Sequence, residues 1–133
     1  MEKVKQVIVF RKDLKVRKGK AMAQAAHATM KVFLDACKKE SNEKYKTYKF
    51  DYVEGSEWDL WLNGIFTKIV VGCNDEKELD ELYLKAQLTH LPCSMIIDSG
   101  LTEFNNIPTK TCIAIGPAKS DDIDKVTKNL KLL

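Results

Sequence analysis

Apolar and polar positions follow two different periods along this chain. Residues 6–10, QVIVF, are β-branched and almost unbroken in their apolarity, which predicts a strand buried on both faces. From Gly19 or Lys20 to about Lys39 the pattern becomes helical. Small residues dominate its first half (Ala21, Ala23, Ala25, Ala26, Ala28) and bulky ones its second (Met30, Val32, Phe33, Leu34). The opening turns should therefore approach a sheet closely and hold their polar side chains in fixed positions.

Residues 65–72, IFTKIVVG, predict a second strand. A helix from about Glu76 to Leu88 follows, capped by Asn74 or Asp75, with Leu79, Leu82, Tyr83 and Ala86 at helical spacing. Ser94–Ile97 predicts a third strand, and Thr111–Gly116 a fourth, stopped by Pro117. Ser120 should cap a last helix, with Asp121 and Asp122 in its first turn and Lys128 and Lys131 in its last, as the macrodipole prefers. Strands alternating with helices give an α/β layered fold, and residues 1–133 show neither a repeat nor a second domain.

The segment 40–55, ESNEKYKTYKFDYVEG, has no clear period. It interleaves Lys44, Lys46 and Lys49 with Tyr45, Tyr48, Phe50 and Tyr52. Two readings stay open for it: an excursion whose aromatics pack back on the domain, or a surface for base stacking and phosphate contact. Trp58, Leu60, Trp61 and Leu62 predict a short helical turn that closes onto the core.

Composition fits one soluble globular domain: 133 residues, 44 % hydrophobic and 31 % charged. No apolar run approaches the ~20 residues that span a bilayer. Val7–Phe10 is too short an apolar stretch for a signal peptide, so a cytoplasmic protein is expected. Cys37, Cys73, Cys93 and Cys112 form neither a CxxC nor a finger spacing. They predict buried free thiols rather than a zinc site or a redox pair.

Charge adds a polarity that the net value of +3 conceals. Residues 1–49 carry 14 Lys or Arg against 5 Asp or Glu, whereas residues 50–133 carry 8 against 14. A basic face for a polyanion follows, with nucleic acid ahead of membrane, or else a lysine-rich solvated surface.

In open α/β sheets ligands bind beyond the carboxyl ends of the strands. Two polar loops leave strands here, at residues 11–20 and 98–109. In the first, Lys18-Gly19-Lys20 meets a helix N-terminus, where unpaired amides favour anions. Lys20, Gln24 and His27 fall on one helical stripe. Asp98 ends an apolar strand and should be partly desolvated, so it could orient Lys20 or activate water. Thr102, Glu103 and Thr111 accompany it. Each has a plainer alternative: a solvated Lys20, an exposed Gln24, a packed His27, an Asp98 that caps its own loop, a Thr102 that does likewise, a strand Thr111.

Four segments carry a resemblance: VIVFRKDLKVRKGKAMAQAAHA, FTKIVVG, DSGLTEF with PTKT and IAIGP, and DKVTKNLKLL. Together the chain resembles the type II, archaeal and eukaryotic-type, peptidyl-tRNA hydrolases over most of its length outside residues 38–64. The resemblance implies a single-domain three-layer α/β/α sandwich with a four-stranded mixed sheet. It implies hydrolysis of the ester joining a peptide or N-blocked amino acid to the terminal ribose of tRNA. It implies no metal, no organic cofactor and commonly a homodimer, and it sets a non-catalytic RNA-binding or adaptor module on the same scaffold as the rival reading.

The family's site residues carry over to Lys20, Gln24, Asp98, Thr102 and Thr111, with Lys68 from FTK and His27 from AHA. In the mechanism this implies, Asp98 orients or deprotonates water, directly or through Thr111. Lys20 stabilises the developing negative charge, Gln24 and Thr102 position the ester, and Lys68 adds positive field. Arg11, Lys12, Lys15, Arg17 and Lys18 would bind tRNA phosphates. The chain departs from the family at Leu101, where many members have arginine, and in its longer connecting segment 38–64.

Overall fold

The computed structural model describes residues 3–101 and 103–133; Thr102, expected at the site, lies outside the described residues. Strand β1 (Val4–Arg11) passes through a 3-10 turn at Lys12–Leu14 into helix α1 (Lys18–Ala36). Strands β2 (Lys38–Ser41) and β3 (Lys46–Lys49) form a separate antiparallel ribbon. Helix α2 (Glu57–Leu62), strand β4 (Lys68–Cys73), helix α3 (Glu76–Leu88) and strand β5 (Cys93–Asp98) follow. Strand β6 (Thr109–Lys119), helix α4 (Ser120–Thr127) and strand β7 (Lys131–Leu132) complete the chain.

The main sheet has the order β5-β6-β1-β4-β7. β1 and β4 run parallel and the other neighbours antiparallel. β1 sits at its centre because Val7, Ile8, Val9 and Phe10 are apolar on both faces, and all four are buried. Strand alternation then sorts them. Ile8 and Phe10 pack with Ala28 and Val32 of α1, beside Trp58 of α2. Val7 and Val9 pack with Leu79 and Ala86 of α3 and Ile123 and Val126 of α4. The result is the expected α/β/α layering.

Several expectations need correction. The sheet has five strands, not four, because Leu132 and Lys131 pair with Val71 and Gly72. Helix α4 accordingly stops at Thr127, and Lys131 is a strand residue. Pro117 does not stop β6; a register shift between Lys5 and Val7 of the partner strand absorbs the irregularity opposite it. Helix α1 ends at Ala36, and Lys38 and Lys39 open the ribbon. All eight ribbon residues are exposed on both faces, which is why no period marks them.

The aromatic segment divides between its two readings. Phe50 packs back, its ring 4.8 Å from Phe33 and 4.9 Å from Trp58. Tyr45 and Tyr48 remain exposed. The cysteines divide as well. All four are free, but only Cys73 and Cys112 are buried, and Cys37 and Cys93 are half-buried. Burial pushes the Cys73 thiol up to about 11 and the Cys112 thiol up to about 12, so neither is a thiolate at neutral pH.

One irregularity bears on chemistry. Along β5, Ile96 pairs with Cys112 and Ile97 with Lys110, which leaves Thr111 as an extra residue in β6.

Candidate active site

The small side chains of α1 do what the sequence suggested: they let its first turns lie close against β5 and β6. Gln24 is buried in consequence, at 1 % exposure, and this removes the exposed reading of that residue. Lys20, one turn earlier, reaches Asp98 at the end of β5. Its Nζ donates to Asp98 Oδ1 at 3.0 Å, with the two side chains 15 % and 13 % exposed. Gln24 Nε2 donates to the same oxygen at 3.1 Å. The Gly100 amide donates to Oδ2 at 2.9 Å. Lys20 Nζ also stands 5.5 Å from the centre of the Phe104 ring.

Thr111 enters from below. Its hydroxyl donates to Gln24 Oε1 at 2.7 Å, and the residue is fully buried. That bond fixes which way the Gln24 amide faces, with its NH2 group toward Asp98. The Cys112 thiol donates to the Gln24 backbone carbonyl at 3.3 Å. A protonated thiol so placed is a packing group and not a nucleophile. Sequence reasoning missed it, and only the extra residue in β6 explains why neighbours 111 and 112 both reach Gln24.

The electrostatics of Asp98 follow from these contacts. Burial works to raise its carboxyl. The Lys20 hydrogen bond, the Gly100 amide, the charge of Lys20 and the Gln24 amide outweigh it, so the group is held below the usual carboxylate value. Asp98 is a fixed anion at neutral pH. Such a group orients a water or a cation well and accepts a proton poorly.

Gly100 is held at a φ of +83°. A Cβ there would run into the backbone of Ile107, and Asn106 N–H already donates to the Gly100 carbonyl at 2.8 Å. Gly100→Ala is expected to cost ~1–3 kcal/mol of stability and to lower turnover as the Asp98 contact shifts. A thermal melt alongside an activity assay checks this; an unchanged melting temperature would contradict it.

The remaining candidates scatter. His27 is exposed on the wall of a hollow that also touches Asp98, so it is not the packed core histidine of the plainer reading. Lys68 is not brought to the cluster. It pairs with Gln6, whereas the site end of the same ladder pairs Arg11 with Cys73. At ~3.3 Å per residue the two ends are ~16 Å apart. Lys68 instead lies over the Phe66 ring, 3.0 Å from its centre, and burial lowers its pKa.

Arg11 is also turned inward. Its guanidinium bonds both oxygens of Asp13 and donates to the Lys110 carbonyl at 2.9 Å. Lys12, Lys15, Arg17 and Lys18 are exposed. Arg17 reaches across to Glu103 at 2.8 Å and joins the two site loops. Leu101 is 75 % exposed and presents an apolar side chain at the rim.

Residues 4–133 match the Peptidyl-tRNA hydrolase PTH2 family. A Methanocaldococcus jannaschii protein named peptidyl-tRNA hydrolase is 42 % identical over 130 residues, covering 98 % of this chain and 100 % of its own. The Methanopyrus kandleri protein of that name is 42 % identical over 129 residues, covering 97 % of each chain. The Thermococcus onnurineus one is 41 % identical over 135 residues, covering 100 % of each. A solved structure of a protein of unknown function from Agrobacterium tumefaciens has a TM-score of 0.61 at 12 % identity, covering 100 % of this chain and 99 % of that one, and shares the fold.

Proposed function

The chain belongs to the Peptidyl-tRNA hydrolase PTH2 family, and we propose that it cleaves the ester between a peptide and the terminal ribose of tRNA with Lys20, Gln24 and Asp98. The observation that carries the assignment is the chain of contacts Thr111–Gln24–Asp98–Lys20, which gathers residues from α1, β5 and β6 at one sheet end. A non-catalytic adaptor needs no such arrangement, and the relatives are named as hydrolases.

Ester hydrolysis needs a placed water and a stabiliser for the charge that develops on oxygen. Asp98 holds the water, using the acceptor capacity that the Gly100 amide leaves on Oδ2. Lys20 sits where it can neutralise the oxyanion or the leaving ribose oxygen. Gln24 fixes Asp98, and Lys20 through it, by bridging the carboxylate to Thr111 of the sheet. Thr111 acts through Gln24, since its own hydroxyl is buried and committed. Water adds to the acyl carbon, the ribose oxygen departs and takes up a proton, and a free peptide carboxylate and tRNA remain. Turnover of an N-acetylaminoacyl-tRNA by the purified chain, with Lys20→Ala as control, tests this. Tight tRNA binding without turnover would favour the adaptor.

The tRNA lies on the exposed cations of the loop after β1, in the same reading. Arg17→Ala should weaken tRNA binding about equally for all tRNA sequences and reduce the slope of log K against log salt by about 1. Filter binding between low and moderate salt measures it, and an unchanged slope removes Arg17 from the footprint. Among the described residues no helix is long and apolar enough to cross a membrane, and the reading places the protein in the cytoplasm with its substrate. It also includes pairing of two copies. The hollow of about 600 Å3 beside the exposed Ile65 and Phe66 supports that, and light scattering tests it.

A further inference from the structure

The ester joins two arms that must leave Asp98 in different directions. The loop cations accompany one of them at the top of α1. On the other side lies the free edge of the sheet. Among the described residues β5 pairs as a strand with β6 alone, and no strand lies on its outer side. A hollow of about 400 Å3 follows this edge between His27 and Lys31 of α1 and the Ile96–Ser99 end of β5, with Asp98 in its wall. A second, of about 390 Å3, shares His27, Lys31 and Ile96 and continues past Met30 and Leu34 to Tyr48 of the ribbon. The two form one groove that begins at the reacting centre.

The parity of the edge is fixed by its first contact. Gly116 N–H donates to the Pro92 carbonyl at 2.7 Å, so residue 92 faces β6. Alternation along the strand turns the backbone groups of 93, 95 and 97 outward, toward the empty side. Ile97 also has an exposed side chain. An edge strand of this kind is a template for another strand.

We propose that the peptide arm of the substrate binds as an added strand along β5. This rests on the hydrolase reading above. The occupant follows from continuity and direction. The C-terminal residue of the peptide carries the ester at Asp98, and β5 also ends at Asp98, so the peptide runs parallel to β5. Four of its residues, at the same rise per residue, reach from Asp98 back to Met95. Backbone pairing reads no side chain, which suits an enzyme whose substrates differ in every peptide sequence. The mixed walls of the groove, with Met30, Leu34, His27 and Lys31, accept apolar and polar side chains alike.

The test is a length series on the full chain: N-acetylaminoacyl-, dipeptidyl- and tetrapeptidyl-tRNA with the same C-terminal residue. kcat/KM should rise about tenfold or more from the shortest to the longest, consistent with two or three net backbone hydrogen bonds. N-methylation of the peptide amides should remove the rise. Ile97→Pro deletes an outward N–H at an edge position and should flatten the series, while Ile97→Ala should retain it. A flat wild-type series, or one indifferent to N-methylation, overturns the added strand. Loss of affinity for deacylated tRNA in Ile97→Pro, equal to the loss for peptidyl-tRNA, overturns it in favour of RNA in the groove. No hydrolysis of any member would instead remove the hydrolase reading itself. If Ile97→Pro does not fold, the N-methyl series still decides.

Discussion

Asp98→Asn is expected to lower turnover on a peptidyl-tRNA by roughly two orders of magnitude or more, and Lys20→Ala by a comparable factor, as losing one well-placed stabiliser of an oxyanion typically does. The substitutions act on one pair 3.0 Å apart, so their effects should fall well short of additive. Near-wild-type turnover in both variants would sink the assignment. pH separates the roles. The Asp98 carboxyl is held below its ordinary value. Its ion pair therefore contributes stability above the ordinary carboxylate range and loses it only as pH falls through the depressed folded value. The acid limb of kcat/KM should likewise lie below the ordinary aspartate range. Removing Lys20 leaves burial less opposed, so in Lys20→Ala the Asp98 carboxyl should titrate higher and the limb should move up. An NMR titration of Asp98 in both proteins measures the shift, and an unmoved carboxyl would mean that Lys20 does not hold it.

Thr111→Val should lower kcat by about 10- to 100-fold. Thr111 touches no solvent, and its hydroxyl meets Gln24 Oε1 at 2.7 Å. Valine keeps the shape and leaves that buried carbonyl without its donor, at a cost of ~1–3 kcal/mol in stability. The Gln24 amide is then free to turn, and Asp98 loses a fixed partner. Thr111→Ser should restore most of both. The informative variant is the double, Thr111→Val with Gln24→Leu. Removing both buried partners should recover stability, because no polar atom is stranded, and should leave turnover low. Recovery of turnover in the double would show that neither residue positions Asp98.

Much of this was legible in the sequence where a local rule and the fold agree. Asp75 caps α3, its carboxylate accepting from Glu78 N–H at 2.8 Å, and the helix runs Glu76–Leu88 as its period predicts. β1 is apolar on both faces and central. The pairing of Lys20 with Asp98 was also within reach, since each stands at the mouth of a loop on the same sheet end. What escaped has no local signal. β7 is two exposed residues whose strand character comes only from their neighbours Val71 and Gly72. The ribbon is polar on both faces. Lys68 stands in a strand that does enter the site end, but at its first residue rather than its last. Arg11 resembles its basic neighbours in sequence and differs in having Asp13 and Lys110 within reach.

The extra residue in β6 has a consequence for how this site can change. In an even ladder, side chains 111 and 112 would leave opposite faces of the sheet, and only one would meet α1. The surplus residue lets Thr111 hold the Gln24 side chain while Cys112 holds its backbone. Shortening β6 by one position would give a more regular sheet with a misplaced Gln24. Length in this strand is therefore under a different constraint from composition: a point change at 111 weakens the centre, whereas deleting that one residue keeps Lys110 opposite Ile97 and Thr109 opposite Asp98 but removes the means by which two successive side chains meet α1.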